Sequence, residues 1–410
     1  MRFADHHKIR RARQIIEDVR FSTTFLLEQI NMSTRVLHIK SKQRTNSISL
    51  EGLQDFDYVE GETINPNTII ANSHISLYCL DSQNKRAIFV ETPLDIELSN
   101  ASFFHQAQYE YAQRLIAVPY EQLHQLAEKI GDSIEQLVLI YSVGFCGSTL
   151  LSKVFHQVDT VLSLSEPIIF SHILGIREPD GISDAELAKI LHSCTLLLCK
   201  PTPTIRPSYC VLKFRGWSIE IADLMYQLFP NAKIIFLYRN AENAARSFIR
   251  ATANPAFLTK NTIENKMEVL SRFIPLLKTY ADLIDYTNSN AIDIYSLMWL
   301  SAMQRYMALY TQGISMCAVR YEDLIRNPQQ VVTSIFQYCG LPISDVDKAC
   351  RVFEQDSKSG LNFSPKNPRK NDINSQEIGE ISQKVAKFLT KHPEIKTSDF
   401  IVPGTLRFDR

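Results

Sequence analysis

The residues in this chain that could do chemistry are the turn Ser142-Val-Gly-Phe-Cys-Gly-Ser-Thr149, the carboxylate of Glu166, the cations Lys213 and Arg239, and Ser247, eight residues past that arginine. Gly144 and Gly147 let the backbone turn without a Cβ penalty. Ser148 and Thr149 then place hydroxyls at the start of a helix, because Leu150, Leu151, Val154 and Phe155 recur at helical spacing. The first N–H groups of a helix have no partner inside it and lie at the positive end of its dipole, so such a turn suits a phosphate or sulfate. A plain strand-to-helix turn with a hydroxyl cap would use the same residues. The pattern Gly, four residues, Gly-Lys-Ser/Thr is absent and Lys153 sits a turn inside the helix, which disfavours a nucleotide-triphosphate kinase. Cys146 invites comparison with cysteine phosphatases, since a thiol at a helix N-terminus is acidified, but the arginine those enzymes need six residues on is here Ser152.

An arginine fork grips phosphate in a bidentate manner and a hydroxyl completes the shell, which is the binding role open to Arg239 and Ser247. Their plain alternatives are a helix-start ion pair and a solvent-facing serine. Glu166 follows a short apolar run and could act as a general base, a role that calls for hydrogen-bond reach of the acceptor and a raised pKa if the group is partly buried. An acidic first-turn residue in Ser-Glu-Pro is the other reading. Lys213 stands at a strand end beside Arg215, where it is either a site cation or a surface lysine. Lys358 opens a basic run with Lys366, Arg369 and Lys370, inside a stretch from Asp356 to Asn374 whose composition is that of a long surface loop.

These residues must be positioned by regular elements. The unbroken apolar run Leu137–Tyr141 reads as a strand buried on both faces, and from there the chain alternates strand and helix, the mark of a parallel sheet with right-handed crossovers. Further strands are expected at Val161–Leu164, Val211–Phe214, Lys233–Tyr238 and Met316–Val319. Helices are expected over Ala241–Thr252, Ile263–Tyr286 and Ile294–Gln312. Open parallel sheets bind ligands beyond the carboxyl ends of their strands, which gathers the glycine turn, Glu166, Lys213, Arg239 and Tyr321 along one edge. Residues 1–135 differ in texture and form an N-terminal α+β extension: a helix over Lys8–Ile30, strands at Val36–Lys40 and Ser47–Leu50, a hairpin from Ile75 to Val90, and helix from Ala101 to Ile130. Residues 136–410 form the α/β unit.

At 410 residues the chain exceeds one ordinary core, consistent with that division. Lys plus Arg and Asp plus Glu balance at 44 each, which argues against nucleic acid or an anionic membrane as a bulk partner. No apolar run reaches the roughly 20 residues of a membrane span. The charged N-terminus does not suit a signal peptide, and eight scattered cysteines without C-x-x-C pairs read as reduced, placing the protein in the cytoplasm. The histidines have no zinc spacing, so no metal is expected.

Taken together, Ser142-Val-Gly-Phe-Cys-Gly-Ser-Thr-Leu-Leu, Phe236-Leu-Tyr-Arg-Asn with Ser247, and Arg320-Tyr-Glu-Asp-Leu with Asn327-Pro328 resemble the sulfotransferase family that uses 3′-phosphoadenosine 5′-phosphosulfate. The likeness covers about Leu137 to Pro342. It implies a P-loop-type three-layer α/β fold with a central parallel sheet and sulfuryl transfer to a hydroxyl or amine of a small-molecule or carbohydrate acceptor. It maps the 5′-phosphosulfate loop onto Gly144, Phe145, Cys146, Gly147, Ser148 and Thr149, and the 3′-phosphate motif onto Arg239 and Ser247. It makes Glu166 the proton acceptor and Lys358 a loop contact to the nucleotide, while Glu322 and Asp323 brace the fold. Phe145 departs from the family, which usually has a lysine or arginine there to neutralise the departing phosphate oxygen; Lys213 is the nominated replacement and Lys153 the second. A non-catalytic nucleotide-binding or scaffold protein of the same fold is the alternative that this departure suggests.

Overall fold

Among the described residues, ten strands form two five-stranded sheets. The structure, a computed structural model, describes residues 33–44, 50–131, 135–177, 184–201, 207–251, 260–286, 290–354 and 375–408. The first sheet is antiparallel and contains β1 (Arg35–Lys42), β2 (Phe56–Thr63), β3 (Ile75–Asp81), β4 (Arg86–Glu91) and β5 (Arg114–Pro119), in the order β2-β1-β5-β4-β3. The second is parallel throughout: β6 (Gln136–Ser142), β7 (Val161–Ser165), β8 (Tyr209–Lys213), β9 (Lys233–Tyr238) and β10 (Cys317–Arg320), in the order β10-β9-β6-β8-β7. The protein is thus a mixed α/β fold built on a five-stranded parallel sheet.

The order of the second sheet fixes where a ligand can sit. From central β6 the chain runs through the helix Ser148–His156 to edge strand β7, returns to β8, then crosses β6 to reach β9 and β10. The connections on the two sides of β6 leave in opposite directions, opening a crevice at its carboxyl end. Leu137 to Tyr141 are buried, as a strand covered on both faces requires. One hydrophobic cluster continues from this sheet into the first through Ile75, Leu77, Phe89 and Ile116.

Several expectations need correction. The stretch 101–130 is not one helical region: Phe104–Tyr111 and Tyr120–Ile130 are helical, but Arg114–Pro119 is β5, hydrogen-bonded between β1 and β4. Its run Leu-Ile-Ala-Val is apolar on both faces, and such a run carries neither period that distinguishes strand from buried helix. β2, with its polar sequence, had no apolar alternation to reveal it. The helix expected over Ile263–Tyr286 is broken into Lys260–Asn265, Met267–Phe273, Leu276–Thr279 and a short turn at Ala281–Leu283. Pro275, which cannot donate to the preceding turn, marks one of those breaks. Leu50 lies outside any strand, and positions 47–49 of the expected second strand, the helix over Lys8–Ile30 and Lys358 fall outside the described residues.

The cysteines are not all reduced. Cys199, after the helix Asp184–Leu198, and Cys210 in β8 lie with Cα atoms 5.9 Å apart and form a disulfide. No short motif announces a pair separated by 11 residues across a crossover. Among the described residues no helix is long and apolar enough to cross a membrane.

Next to this bond Lys200 joins the two sheets' surroundings. Its buried ammonium donates to the backbone carbonyls of Ile69, Asn72 (2.6 Å) and Ile75 (2.7 Å). Each ammonium hydrogen finds an acceptor, which is the condition for burying a cation without a counter-ion. Lys200→Met removes all three donors and leaves carbonyls unpaired in the interior, so it should lower unfolding free energy by about 2–4 kcal/mol, read from urea denaturation.

Candidate active site

β6 ends where the chain turns through left-handed backbone at Gly144 (φ 76°), Phe145 (φ 52°) and Gly147 (φ 84°) before the helix beginning at Ser148. Gly147 is required twice over: its φ suits only glycine comfortably, and a Cβ there would lie 2.6 Å from the Tyr321 ring. Gly216 permits the turn after β8 to approach, since its Cβ would stand 3.1 Å from the Gly144 nitrogen. The loop is therefore approached closely from the end of neighbouring β8 and by the residue that follows β10. Its hydroxyls, Ser148 and Thr149, are buried at the helix's first turn, where N–H groups lack intrahelical acceptors.

Two side chains of one helix, Asn290–Thr311, hold the turns on either side of the β6–β9 boundary. The Tyr295 hydroxyl donates to the Gly144 carbonyl at 3.1 Å, and the Trp299 indole N–H donates to the Arg239 carbonyl at 3.0 Å. Tyr295 and Trp299 are four apart on one helical face, a spacing visible in the sequence that carries no signal of what the face meets. The Phe145 ring packs edge-on against Phe248 and Tyr295, with centroids 5.2 Å and 5.9 Å away. Cys146 is buried, its thiol donates to the Leu237 carbonyl, and burial raises its pKa. A thiol in that state is a poor nucleophile, which removes the phosphatase reading.

Glu166 and Lys213 meet at the adjoining strand ends. The Glu166 N–H donates to the Lys213 carbonyl at 2.7 Å, while the Lys213 ammonium donates to Glu166 Oε1. Lys213 is 2% exposed, which rules out a surface lysine, and its ammonium stands 6.0 Å from the centre of the Phe103 ring. The Arg215 Nε lies 3.5 Å from Glu166 Oε2. Burial pushes the Glu166 carboxyl up, but Lys213 and Arg215 outweigh it and hold the group below its ordinary value. The raised pKa expected of a partly buried base is thus not found, because the two strand-end cations Lys213 and Arg215 both pair with it.

A cleft of about 370 Å³ opens over these groups, lined by Gly144, Phe145, Gly147, Ser148, Thr149, Glu166 and Lys213 on the polar floor. Phe103, Trp217, Phe248 and Met298 supply apolar walls, with Arg215 at their base. Phe103 comes from the N-terminal half of the chain, a contribution no motif there suggested.

Arg239 is not in the lining of this cleft but lies against the loop beside it. Its Nη1 donates to the Phe145 carbonyl at 3.4 Å, and its guanidinium carbon stacks 4.3 Å from the Tyr321 ring centre. Its Nε is buried and makes no hydrogen bond, with Glu322 Oε1 3.9 Å away. Glu322 also accepts from the Asn240 N–H and pairs with Arg320, a bracing role. Ser247 lies partly exposed in the helix Ala241–Ala251. Lys153 sits toward the other end of the helix from the loop and does not reach the cleft.

Residues 217–345 match the model of the sulfotransferase family. Among solved structures, sulfotransferase STF9 from Mycobacterium avium aligns at 12% identity over 66% of this chain and 81% of its own, with a TM-score of 0.39. A sulfotransferase from Alicyclobacillus acidocaldarius aligns at 14% identity over 63% and 94%, with a TM-score of 0.35. Mouse sulfotransferase SULT7A1, complexed with PAP, aligns at 13% identity over 65% and 88%, also at 0.35. No curated protein sequence matches the chain.

Gly147→Ala places a methyl group against the Tyr321 ring in left-handed backbone. It should lower stability by about 1–3 kcal/mol, measured by thermal and chemical unfolding.

Proposed function

We propose, from the match of residues 217–345 to the sulfotransferase family model, that the protein transfers a sulfuryl group from 3′-phosphoadenosine 5′-phosphosulfate to a hydroxyl or amine of a small-molecule or carbohydrate acceptor. The observation that carries this reading is the buried Lys213–Glu166 pair at the lip of the Gly144–Thr149 turn, a cation and a carboxylate facing one cleft.

In this reaction the loop N–H groups and the hydroxyls of Ser148 and Thr149 hold the 5′-phosphosulfate, while Arg239 and Ser247 serve the 3′-phosphate. The Nε of Arg239, buried without a hydrogen bond and no nearer than 3.9 Å to Glu322, fits an anion-binding role, since a buried donor without a hydrogen-bond acceptor is otherwise unfavourable. The acceptor oxygen or nitrogen attacks sulfur, the bond from sulfur to the bridging phosphate oxygen breaks, and its electron pair stays on that oxygen. Lys213 stabilises the charge that develops there, a task for a positioned donor in a water-poor site. Glu166 takes the acceptor proton. The two roles are coupled: as long as Lys213 donates to Glu166 the carboxylate is a weak base, and a lysine drawn toward the leaving phosphate relieves it of one cation.

A second reading, a protein of this fold that binds the nucleotide without catalysis, is favoured by Phe145, whose ring occupies an aromatic cluster where a loop cation would stand. Thermal stabilisation by adenosine 3′,5′-bisphosphate but not by ATP supports both readings over a kinase. Incorporation of radiolabelled sulfate into an acceptor pool then separates catalyst from binder.

Glu166→Gln should abolish transfer while leaving the bisphosphate-induced thermal shift intact. Lys213→Met should lower kcat about 100- to 1000-fold. In that variant the acid limb of kcat/KM should also move to higher pH, because a carboxyl that loses its nearest cation binds its proton more tightly.

A further inference from the structure

The residues preceding β6 do more than pack on the parallel sheet, for they enter the charge cluster around Glu166. Glu166 is held in left-handed backbone (φ 59°), a conformation that a non-glycine residue keeps only when its surroundings impose it. One such restraint comes from its own sheet, through the hydrogen bond to the Lys213 carbonyl. The other comes from His105, whose Nδ1 lies 2.9 Å from the Glu166 carbonyl. A carbonyl only accepts, so Nδ1 carries the proton, and Nε2 is left to accept from Arg215 Nη2 at 2.7 Å. The ring is therefore neutral, as its deep burial beside Arg215 also requires.

The contact is reciprocal. His172, from the helix Ile169–Ile176 after β7, donates through Nε2 to the Glu51 carbonyl at 2.8 Å. The Glu51 carboxylate in turn accepts from Arg215 at 3.1 Å and lies 3.5 Å from His105 Nε2, with Arg44 3.6 Å away. Arg215 thus stands between two carboxylates, Glu51 from before β6 and Glu166 from after β7. Each segment clasps the other through a histidine and a carbonyl.

We propose that His105, held in its tautomer by Arg215 and steadied by Glu51, is a positioning residue that fixes the Glu166 carboxylate toward the cleft, so that the N-terminal sheet is a working part of the active site. The inference rests on the sulfuryl-transfer reading for its kinetic form, and on geometry alone for its structural form. Without the His105 clasp, Glu166 is free to leave left-handed backbone and its carboxylate to swing away from the acceptor, while the loop, Arg239 and Lys213 remain in place. The predicted defect therefore falls on turnover and not on nucleotide binding.

The test compares His105→Leu, which removes the N–H, with His105→Asn, whose side-chain amide can donate from about the Nδ1 position, and with Glu51→Gln. His105→Leu should lower kcat about tenfold to a hundredfold with the donor KM and the thermal shift by adenosine 3′,5′-bisphosphate within twofold of wild type, and His105→Asn should restore most of the rate. Glu51→Gln, which keeps the volume, should give an intermediate loss, and it serves if His105→Leu does not fold. Unchanged kcat in His105→Leu, or a loss that His105→Asn does not relieve, overturns the proposal. If the wild-type protein binds the bisphosphate yet transfers nothing, the functional reading fails by itself. The positioning claim is then decided by a crystal structure of His105→Leu: Glu166 relaxed to negative φ supports it, and Glu166 still near φ 59° overturns it.

Discussion

Glu166 is largely withdrawn from solvent, its side chain 17% exposed, and a carboxylate so placed stays ionised only where cations and donors replace the water it has lost. Lys213 and Arg215 supply that replacement, and both come from the end of β8, two residues apart and so on the same side of the strand as it leaves the sheet. Neither cation could itself be buried without the carboxylates: Lys213 has Glu166, and Arg215 has Glu166 and Glu51. The cluster is an interlocking set in which removing one member leaves another uncompensated, and this constraint, more than any single hydrogen bond, ties the strand ends, the turn after β7 and the N-terminal segment to one another.

The sheet order makes the cluster possible. β8 lies between β6 and β7, so the residues following β6, β7 and β8 meet at neighbouring carboxyl ends: the glycine turn, Glu166 and Lys213. β9 lies on the opposite side of β6, which puts Arg239 across the glycine turn from Lys213. The helix Asn290–Thr311 then bonds one turn through Tyr295 and the other through Trp299, setting the separation of the two cationic sides. Parallel strands cannot be joined by tight hairpins, and it is the long crossovers they demand that bring residues far apart in sequence to one rim.

How much of this was legible in the sequence follows from the range of the signals. All five strands of the parallel sheet were visible as apolar runs, Lys233–Tyr238 to the residue, because a strand buried on both faces advertises itself locally. The turn at Gly144 and Gly147 was legible because turn chemistry is local as well. The lowered pKa of Glu166, the reciprocal clasps of His105 and His172, and the Cys199–Cys210 disulfide were not, since each depends on partners from distant segments that no spacing rule connects. β5 failed for a subtler reason, in that a short apolar run flanked by helices offers the same pattern to either assignment.

Phe145 is where local and distant information must be read together. Taken alone, an aromatic residue in the loop reads as the loss of a cation. In three dimensions its ring completes a cluster with Phe248 and Tyr295, and the Tyr295 hydroxyl in that cluster fixes the Gly144 carbonyl. The aromatic residue thus stiffens the turn that a lysine would only have charged, and the ammonium that lines the cleft comes from β8, buried and directed at Glu166. Under the proposed reaction this exchange has a consequence for mechanism: a loop lysine would be free to neutralise the leaving phosphate independently of the base, whereas Lys213 must serve both, so stabilising the leaving group and freeing the base become one movement of a single side chain.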